Sequence, residues 1–209
     1  MTPLLLFALL ATTDAGPTLD AGPAPLGELT TDALLGCAGD ASKCFASDWD
    51  LARELVRRDL GKRALVERLR REREPGRTVL FFALYLSPRD PEVSKVMRRL
   101  YHDADEEVAY YALNYGAKGC EPEALRILSA EPIESRADCQ QWATTVALFG
   151  ECKYRAATPF LVDSLRYACL NVVFAANESL RALYPEAPFP FRSPSAEAAY
   201  FRAKMNKPQ

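Results

Sequence analysis

A repeated apolar pattern constrains the fold of this chain more than any other feature of its sequence. The segment VLFFALYLSPRDPEVSKVMRRL, residues 79–100, superposes on VAYYALNYGAKGCEPEALRIL, residues 108–128, at an offset of 29 residues. A third copy follows at residues 142–165 and a half-copy at residues 172–184. Periods of roughly 30 to 35 residues are typical of proteins that stack pairs of helices into a solenoid.

Within each copy the apolar residues follow the period of an α-helix. The first helix of one copy places them at i, i+3, i+4 and i+7, in the order Val79, Phe82, Ala83 and Leu86. Gly116 and Gly150 are predicted to end first helices, because a left-handed residue costs least at a glycine. Pro91 and Pro122 are predicted in the first turn of second helices, where a missing amide proton is harmless.

The pattern of Ala-Leu, turn, glycine and an Ala/Leu-rich second helix, between residues 76 and 184, resembles the HEAT repeat family. It is most similar to the short bacterial HEAT-like repeats that also occur in phycobilisome-lyase-related proteins. The resemblance implies an all-α fold, a right-handed α-solenoid of about four antiparallel helix pairs. It also implies a binding scaffold, because the family has no shared catalytic residues to transfer.

In such repeats the second helices line the concave face, which is therefore the expected surface for a protein or peptide partner. Four cations on the predicted second helices fall outside the apolar positions, and we take them as candidate partner-binding residues: Lys95, Arg99, Arg126 and Arg166. A monomer is expected.

The two ends of the chain are expected to differ from the repeats. Residues 1–15 contain the apolar run LLLFALLA and are predicted to be a signal peptide, too short to span a bilayer. Residues 16–27 form a Pro/Gly/Ala-rich linker, residues 28–75 N-terminal capping helices, residues 76–185 the repeats, and residues 186–209 a C-terminal capping helix and tail. We therefore expect an exported protein, periplasmic or extracellular, with no stable membrane anchor.

Two helix starts in the capping regions are predicted from N-cap residues. Ser47, followed by Asp50 three residues later, is typical of an N-cap. Ser193 before Pro194 predicts a second N-cap. The predicted packing face of that last helix consists of Ala196, Ala199, Tyr200 and Ala203.

Six cysteines in a chain predicted to be exported favour disulfides. Cys152 and Cys169 flank one predicted helix of about 12 residues, which would hold them roughly 18 Å apart and prevent pairing. The same argument excludes a disulfide between Cys139 and Cys152 and one between Cys120 and Cys139. The pairings that remain join matching positions in successive repeats or close one local loop. The predicted pairs are Cys37–Cys44, Cys120–Cys152 and Cys139–Cys169.

Charge and motifs narrow the possible functions. A net charge of −2 argues against a nucleic-acid binder, since such proteins need a basic excess. No motif predicts catalysis, and neither a cofactor nor a metal is expected. His102 is interpreted as a solvated loop residue, and the acids Asp103, Asp105, Glu106 and Glu107 as helix N-terminal charges. The alternative is an enzyme or a metal-dependent module whose site is not visible as a motif.

Two further features each allow two interpretations. The basic run at residues 57–77 is either a solvated helix with internal ion pairs or a contact for an anionic surface or partner. The aromatic residues Phe81, Tyr85 and Tyr110 lie off the main apolar stripe. They either fill contacts between adjacent repeats or form an exposed recognition patch.

Overall fold

A computed structural model describes residues 25–58, 60–130 and 138–205, and these residues form an all-α fold, as predicted. The predicted signal peptide, residues 16–24 of the predicted linker and residues 206–209 lie outside the described residues. The described part of the chain contains no strand and twelve α-helices: Thr31–Gly36 (α1), Ala41–Cys44 (α2), Asp48–Arg57 (α3), Lys62–Leu69 (α4), Gly76–Leu86 (α5), Pro91–Arg99 (α6), Glu106–Ala117 (α7), Pro122–Ala130 (α8), Cys139–Glu151 (α9), Thr158–Ser164 (α10), Leu170–Leu183 (α11) and Pro194–Met205 (α12).

Side-chain caps set the N-terminal ends of several helices. Ser47 caps α3 in a reciprocal arrangement, because its Oγ accepts from the Asp50 amide at 3.2 Å while Asp50 Oδ2 accepts from the Ser47 amide at 3.1 Å. Asp105 and Asp138 accept amide hydrogen bonds at the starts of α7 and α9. Pro91 occupies the first turn of α6. The predicted N-cap at Ser47 and the predicted place of Pro91 are confirmed.

The ends of α7 and α9 correct the prediction made for two glycines. The left-handed residues there are Cys120, with φ 56°, and Lys153, with φ 53°. Gly116 and Gly150 instead lie inside the last helical turn, where neighbouring atoms leave no room for a side chain. A Cβ atom on Gly150 would lie 2.7 Å from the Cα atom of Ser179 in α11. Close helix packing, and not backbone conformation, therefore requires glycine at this position.

Helix contacts follow the order of the chain. The helices α3, α5, α7, α9 and α11 each pack against the next of the series. Three of the intervening helices, α4, α6 and α10, pack against the helix that follows them, namely α5, α7 and α11. The buried side chains form one continuous core, and its largest members include Trp142, Phe81, Phe149 and Phe201.

The last helix buries a different face from the predicted one. Glu197, Ala198 and Phe201 are buried, whereas Ala196, Ala199 and Ala203 are exposed and Tyr200 is half-buried. The physical reason is the Phe201 ring, whose centroid lies 5.2 Å from that of Tyr184, 6.0 Å from that of Phe191 and 6.2 Å from that of Phe189. A phenyl ring buries far more apolar area than a methyl group, so it determines how the helix is rotated.

The six cysteines form the three predicted pairs. The Cα atoms lie 5.8 Å apart for Cys37–Cys44, 5.2 Å for Cys120–Cys152 and 6.0 Å for Cys139–Cys169. The two longer pairs hold α9 at both ends, because one joins its N-terminus to the N-cap of α11 and the other joins its C-cap to the turn after α7.

The two cysteines of the Cys120–Cys152 pair do not lie at identical positions in their turns. Cys120 matches Lys153, because the two are the left-handed residues of their respective turns. The amide after each of them donates to the fifth residue before it: Glu121 to Gly116 at 3.1 Å, and Tyr154 to Phe149 at 2.9 Å. Cys152 therefore precedes the position equivalent to Cys120 by one residue.

Candidate functional site

The four candidate partner-binding cations are all exposed. Lys95 and Arg99 lie on α6, Arg126 lies on α8, and Arg166 lies two residues after α10. Within residues 25–58, 60–130 and 138–205, none of these four side chains has a carboxylate partner. Their charges are therefore left for a ligand or for solvent.

The basic run at residues 57–77 divides into two parts. Most of its arginines form ion pairs within the fold, such as Arg58 with Glu54 at 2.9 Å and Arg63 with Glu67 at 3.2 Å. Three exposed arginines in the turn after α4, namely Arg70, Arg71 and Arg73, have no carboxylate partner among the described residues. The ion-pair interpretation therefore holds for most of the run, and the contact for an anionic surface or partner stays a prediction for these three arginines.

A neighbouring arginine shows why sequence position alone does not identify free cations. Arg98 precedes the unpaired Arg99, yet its Nε donates to Glu121 Oε2 at 2.8 Å. The same carboxylate accepts from Tyr101 Oη at 2.9 Å and pairs with Arg89 at 3.4 Å. Burial and the Glu121 carboxylate raise the pKa of Tyr101, so this hydroxyl remains a donor. The cluster connects α6 to the start of α8 and is structural.

A second surface lies on α3, α5 and α7 and consists of three half-buried rings, Trp49, Tyr85 and Tyr111, here called the aromatic surface. The centroid of the Trp49 indole lies 6.0 Å from that of Tyr85 and 5.1 Å from that of Tyr111, and the two tyrosine centroids are 5.2 Å apart. Phe82 stacks on the indole at 4.1 Å. Of the three aromatic residues flagged in the sequence, Phe81 and Tyr110 are buried, and only Tyr85 belongs to this surface.

Polar groups border the aromatic surface. Lys118 Nζ lies 4.5 Å from the centroid of the Tyr85 ring and donates to its hydroxyl oxygen at 2.7 Å. Gln141 Nε2 donates to the hydroxyl oxygen of Tyr111 at 2.8 Å. Burial, the Glu107 carboxylate and neighbouring groups raise the pKa of Tyr111 to about 12.

Carboxylates form the acidic edge of this surface. Burial and then the charges of Asp105 and Asp48 raise the pKa of Glu107, which shows that like charges act on it. Asp105 and Asp48 both accept backbone amide hydrogen bonds. Glu107 has no cationic partner among the described residues. Sequence reasoning interpreted Glu107 only as a helix N-terminal charge and did not single out Trp49 or Tyr111.

An open cleft of about 340 Å³ lies beside α3 and is lined by Leu26, Phe45, Ala46, Asp50, Arg53, Glu54 and Arg57. The carboxylates at its rim are neutralised by arginines. Hydrogen bonds from Arg57 and Arg58 lower the pKa of Glu54 to about 2, so this group is ionised at neutral pH. Phe45 is 77% exposed and has a left-handed backbone with φ 51°.

Elsewhere, α11 exposes two apolar side chains one turn apart, Leu170 at 70% and Phe174 at 65%. His102 is exposed, as expected for a solvated residue. No group of three His, Cys, Asp or Glu side chains in the described ranges is arranged to hold a metal ion.

No family model, curated protein or solved structure matches this chain. None of the helices described above is both long enough and apolar enough to cross a membrane. The part of the chain that the structure describes has an all-α fold, three cysteine pairs, an aromatic surface and several cations without a carboxylate partner there.

Proposed function

We propose that the protein is a non-catalytic scaffold whose helix pairs stack as a HEAT-like α-solenoid and which binds a partner protein or peptide along its concave face. The repeat pairs would be α5 with α6, α7 with α8 and α9 with α10, followed by α11 as a half-copy, with α3 and α4 before them and α12 after them as capping helices. The contacts between successive first helices in chain order support this arrangement, since each solenoid repeat packs on its neighbours.

The observation that carries the proposal is the set of cations, on or directly after second helices, that have no carboxylate partner in the described ranges. Beyond the four candidate residues, the turn after α4 adds three more, and α4 packs against α6. In a HEAT-like solenoid, these side chains would give the concave face a positive potential. Such a face attracts a partner with an acidic surface and sets its orientation.

Export to an oxidising compartment forms part of the proposal. Three cysteine pairs at disulfide distance support it, because disulfides persist in secreted and periplasmic proteins and are rare in the cytosol. The test is mass spectrometry of protein from the producing host. A mature N-terminus near residue 16 and three oxidised pairs are expected, whereas free thiols with an intact N-terminus would contradict export.

The binding test compares two charge-reversal variants with the same change in net charge. The first replaces Lys95, Arg99, Arg126 and Arg166 by Glu. The matched control replaces exposed cations outside the second helices, Lys43, Arg53, Arg181 and Arg192, by Glu. A protein captured from the extracytoplasmic fraction is purified, and its binding to each variant is measured by calorimetry.

Wild type and control are expected to bind the purified partner with similar affinity, while the second-helix variant is expected to lose at least tenfold. Equal losses in both variants would show that only net charge matters. Equal retention in both would place the binding surface elsewhere on the molecule.

A further inference from the structure

We propose that the aromatic surface of Trp49, Tyr85 and Tyr111 binds an arginine- or lysine-bearing segment of a partner protein. This inference deepens the proposed scaffold function and rests on it for the existence of a partner. It concerns a different surface and the opposite partner charge from the unpaired cations on the second helices.

The three rings are held in place and are still accessible. Trp49 stacks on the buried Phe82 ring with an interplanar angle of 17°, which fixes the indole against the core. Tyr85 and Tyr111 each meet the indole at 75° and meet one another at 64°. These steep angles are those of edge-to-face contacts between the rings, and all three rings remain partly exposed.

The rings already show the chemistry that they favour. The Lys118 ammonium group lies 4.5 Å from the centroid of the Tyr85 ring and donates to its hydroxyl oxygen at 2.7 Å, so a cation from the chain itself already contacts this surface. A cation within about 6 Å of an aromatic centroid is attracted by the ring quadrupole, and indole is the strongest of the aromatic acceptors. Trp49 has no such cation among the described residues.

The charges at the edge of the surface select the sign of the ligand. Asp48 is the neighbour of Trp49 in α3, and Glu107 lies one helical turn before Tyr111 in α7. Burial raises the pKa of Glu107, and the charges of Asp105 and Asp48 raise it further, so both carboxylates repel that of Glu107. An arriving guanidinium or ammonium group would relieve this repulsion while contacting the rings, whereas an acidic segment would add to it.

The occupant that fits is therefore a basic peptide segment, and arginine fits best because its planar guanidinium stacks on aromatic faces and pairs with carboxylates. The residue types of this surface agree with an interface, since tryptophan and tyrosine are enriched among residues that dominate binding energy.

The probe is the peptide Ac-Gly-Arg-Gly-Arg-Gly-amide, and the control peptide carries neutral citrulline in place of arginine. The protein has two tryptophans, Trp49 and the buried Trp142, which give two indole N–H signals in a proton–nitrogen NMR spectrum. The Trp49→Phe variant assigns them. The arginine peptide is expected to shift the Trp49 signal in a saturable way and to leave the Trp142 signal in place.

The decisive variant is Glu107→Gln, with Glu106→Gln as its matched control. The two glutamates are adjacent in the first turn of α7 and both are exposed, so neither substitution should prevent folding. Glu107→Gln is expected to lower the affinity for the arginine peptide about two- to fivefold, which is the effect of losing one exposed ion pair or cation–π contact. Glu106→Gln is expected to leave the affinity unchanged. Added salt is expected to lower the affinity of the wild-type protein for the arginine peptide.

Several outcomes would overturn the inference: no shift of the Trp49 signal at millimolar peptide, equal shifts with citrulline, or equal effects of the two glutamate variants. Concentration-dependent sedimentation that Glu107→Gln abolishes, without any peptide effect, would make a second copy the occupant. The peptide test could fail while the second-helix variant still loses partner binding as expected. That combination would refute this inference and leave the proposed scaffold function unaffected.

Discussion

Gly150 of α9 packs directly on the backbone of Ser179 in α11, so closely that a Cβ atom on the glycine would lie 2.7 Å from the Ser179 Cα. Ser179 Oγ also donates to the Val146 carbonyl of α9 at 2.9 Å. Backbone atoms cannot move aside as a flexible side chain can. The distance between these two helices therefore depends on the absence of a side chain at one position.

We expect Gly150→Ala to destabilise the protein by about 2 kcal/mol, because the steric cost of overpacking exceeds the stabilisation from the higher helix propensity of alanine. Gly36→Ala is the matched control, since Gly36 ends α1 and a Cβ there would meet no atom within 4 Å. That variant should be neutral or slightly stabilising. Urea unfolding of both measures the difference, and similar values for the two would contradict the close approach of α9 and α11.

The disulfides should differ in their effect on stability. Replacing Cys120 and Cys152 by Ser opens a loop of sequence separation 32, whereas replacing Cys37 and Cys44 opens one of 7. On the chain-entropy model these changes cost about 4 and about 2 kcal/mol. Denaturant unfolding of the two double variants tests this order. A larger loss from the short loop would show that local contacts near α1 and α2 outweigh chain entropy.

Glu197 should make the protein less stable as pH rises. The residue is 1% exposed, its Oε1 has no hydrogen-bond partner in the described part of the chain, and burial raises its pKa above the usual 4.5. Because the folded pKa is the higher one, the contribution of Glu197 to stability is full below about pH 4.5 and is lost as pH rises through the folded value.

We expect Glu197→Gln to stabilise the protein by about 1 kcal/mol at pH 8 and to have little effect at pH 4. Glu151→Gln, an exposed position at the end of α9, serves as the control and should change stability by less than about 0.5 kcal/mol at either pH. Thermal unfolding at the two pH values gives the comparison. A Glu197→Gln variant that is less stable at pH 8 would mean that Oε1 of the ionised carboxylate has a donor of its own, besides the Asn177 Nδ2 that donates to Oε2 at 2.5 Å.

Phe45 carries a backbone conformation that a glycine would adopt at lower cost. It is the C-cap of α2, with φ 51°, and its ring is mostly exposed. Phe45→Gly is expected to stabilise the fold by about 1 kcal/mol, since a left-handed conformation costs other residues about that much. Phe45→Ala keeps the unfavourable φ and should not stabilise. Equal stabilities of the two variants in thermal unfolding would contradict this account.

Sequence reasoning predicted what depends on local geometry. The N-cap at Ser47 follows from the hydroxyl and the carboxylate three residues later, and both hydrogen bonds are present. The pairing of Cys139 with Cys169 follows from helix length and repeat register. Both predictions need only distances along the chain, which helix rise and periodicity supply.

The remaining features depend on packing between elements distant in sequence. Trp49, Tyr85 and Tyr111 come from three helices, and no spacing in the sequence places them in contact. Arg98 and Arg99 are neighbours in the chain, and only the position of Glu121 makes one paired and the other unpaired. Such relationships arise from tertiary structure, which a local pattern does not encode.

The cysteine pairs at the two ends of α9 also bear on how the molecule would respond to mechanical force. Tension applied between the termini would cross from Cys120 to Cys152 through the disulfide and then follow the chain to Cys169. Residues 121–151 would therefore not add to the extended length while the disulfides are intact. The stretch from Cys120 to Cys169 could then extend to only roughly a third of its free contour length. In a force–extension experiment, adding a reductant should lengthen the unfolded chain by the stored remainder.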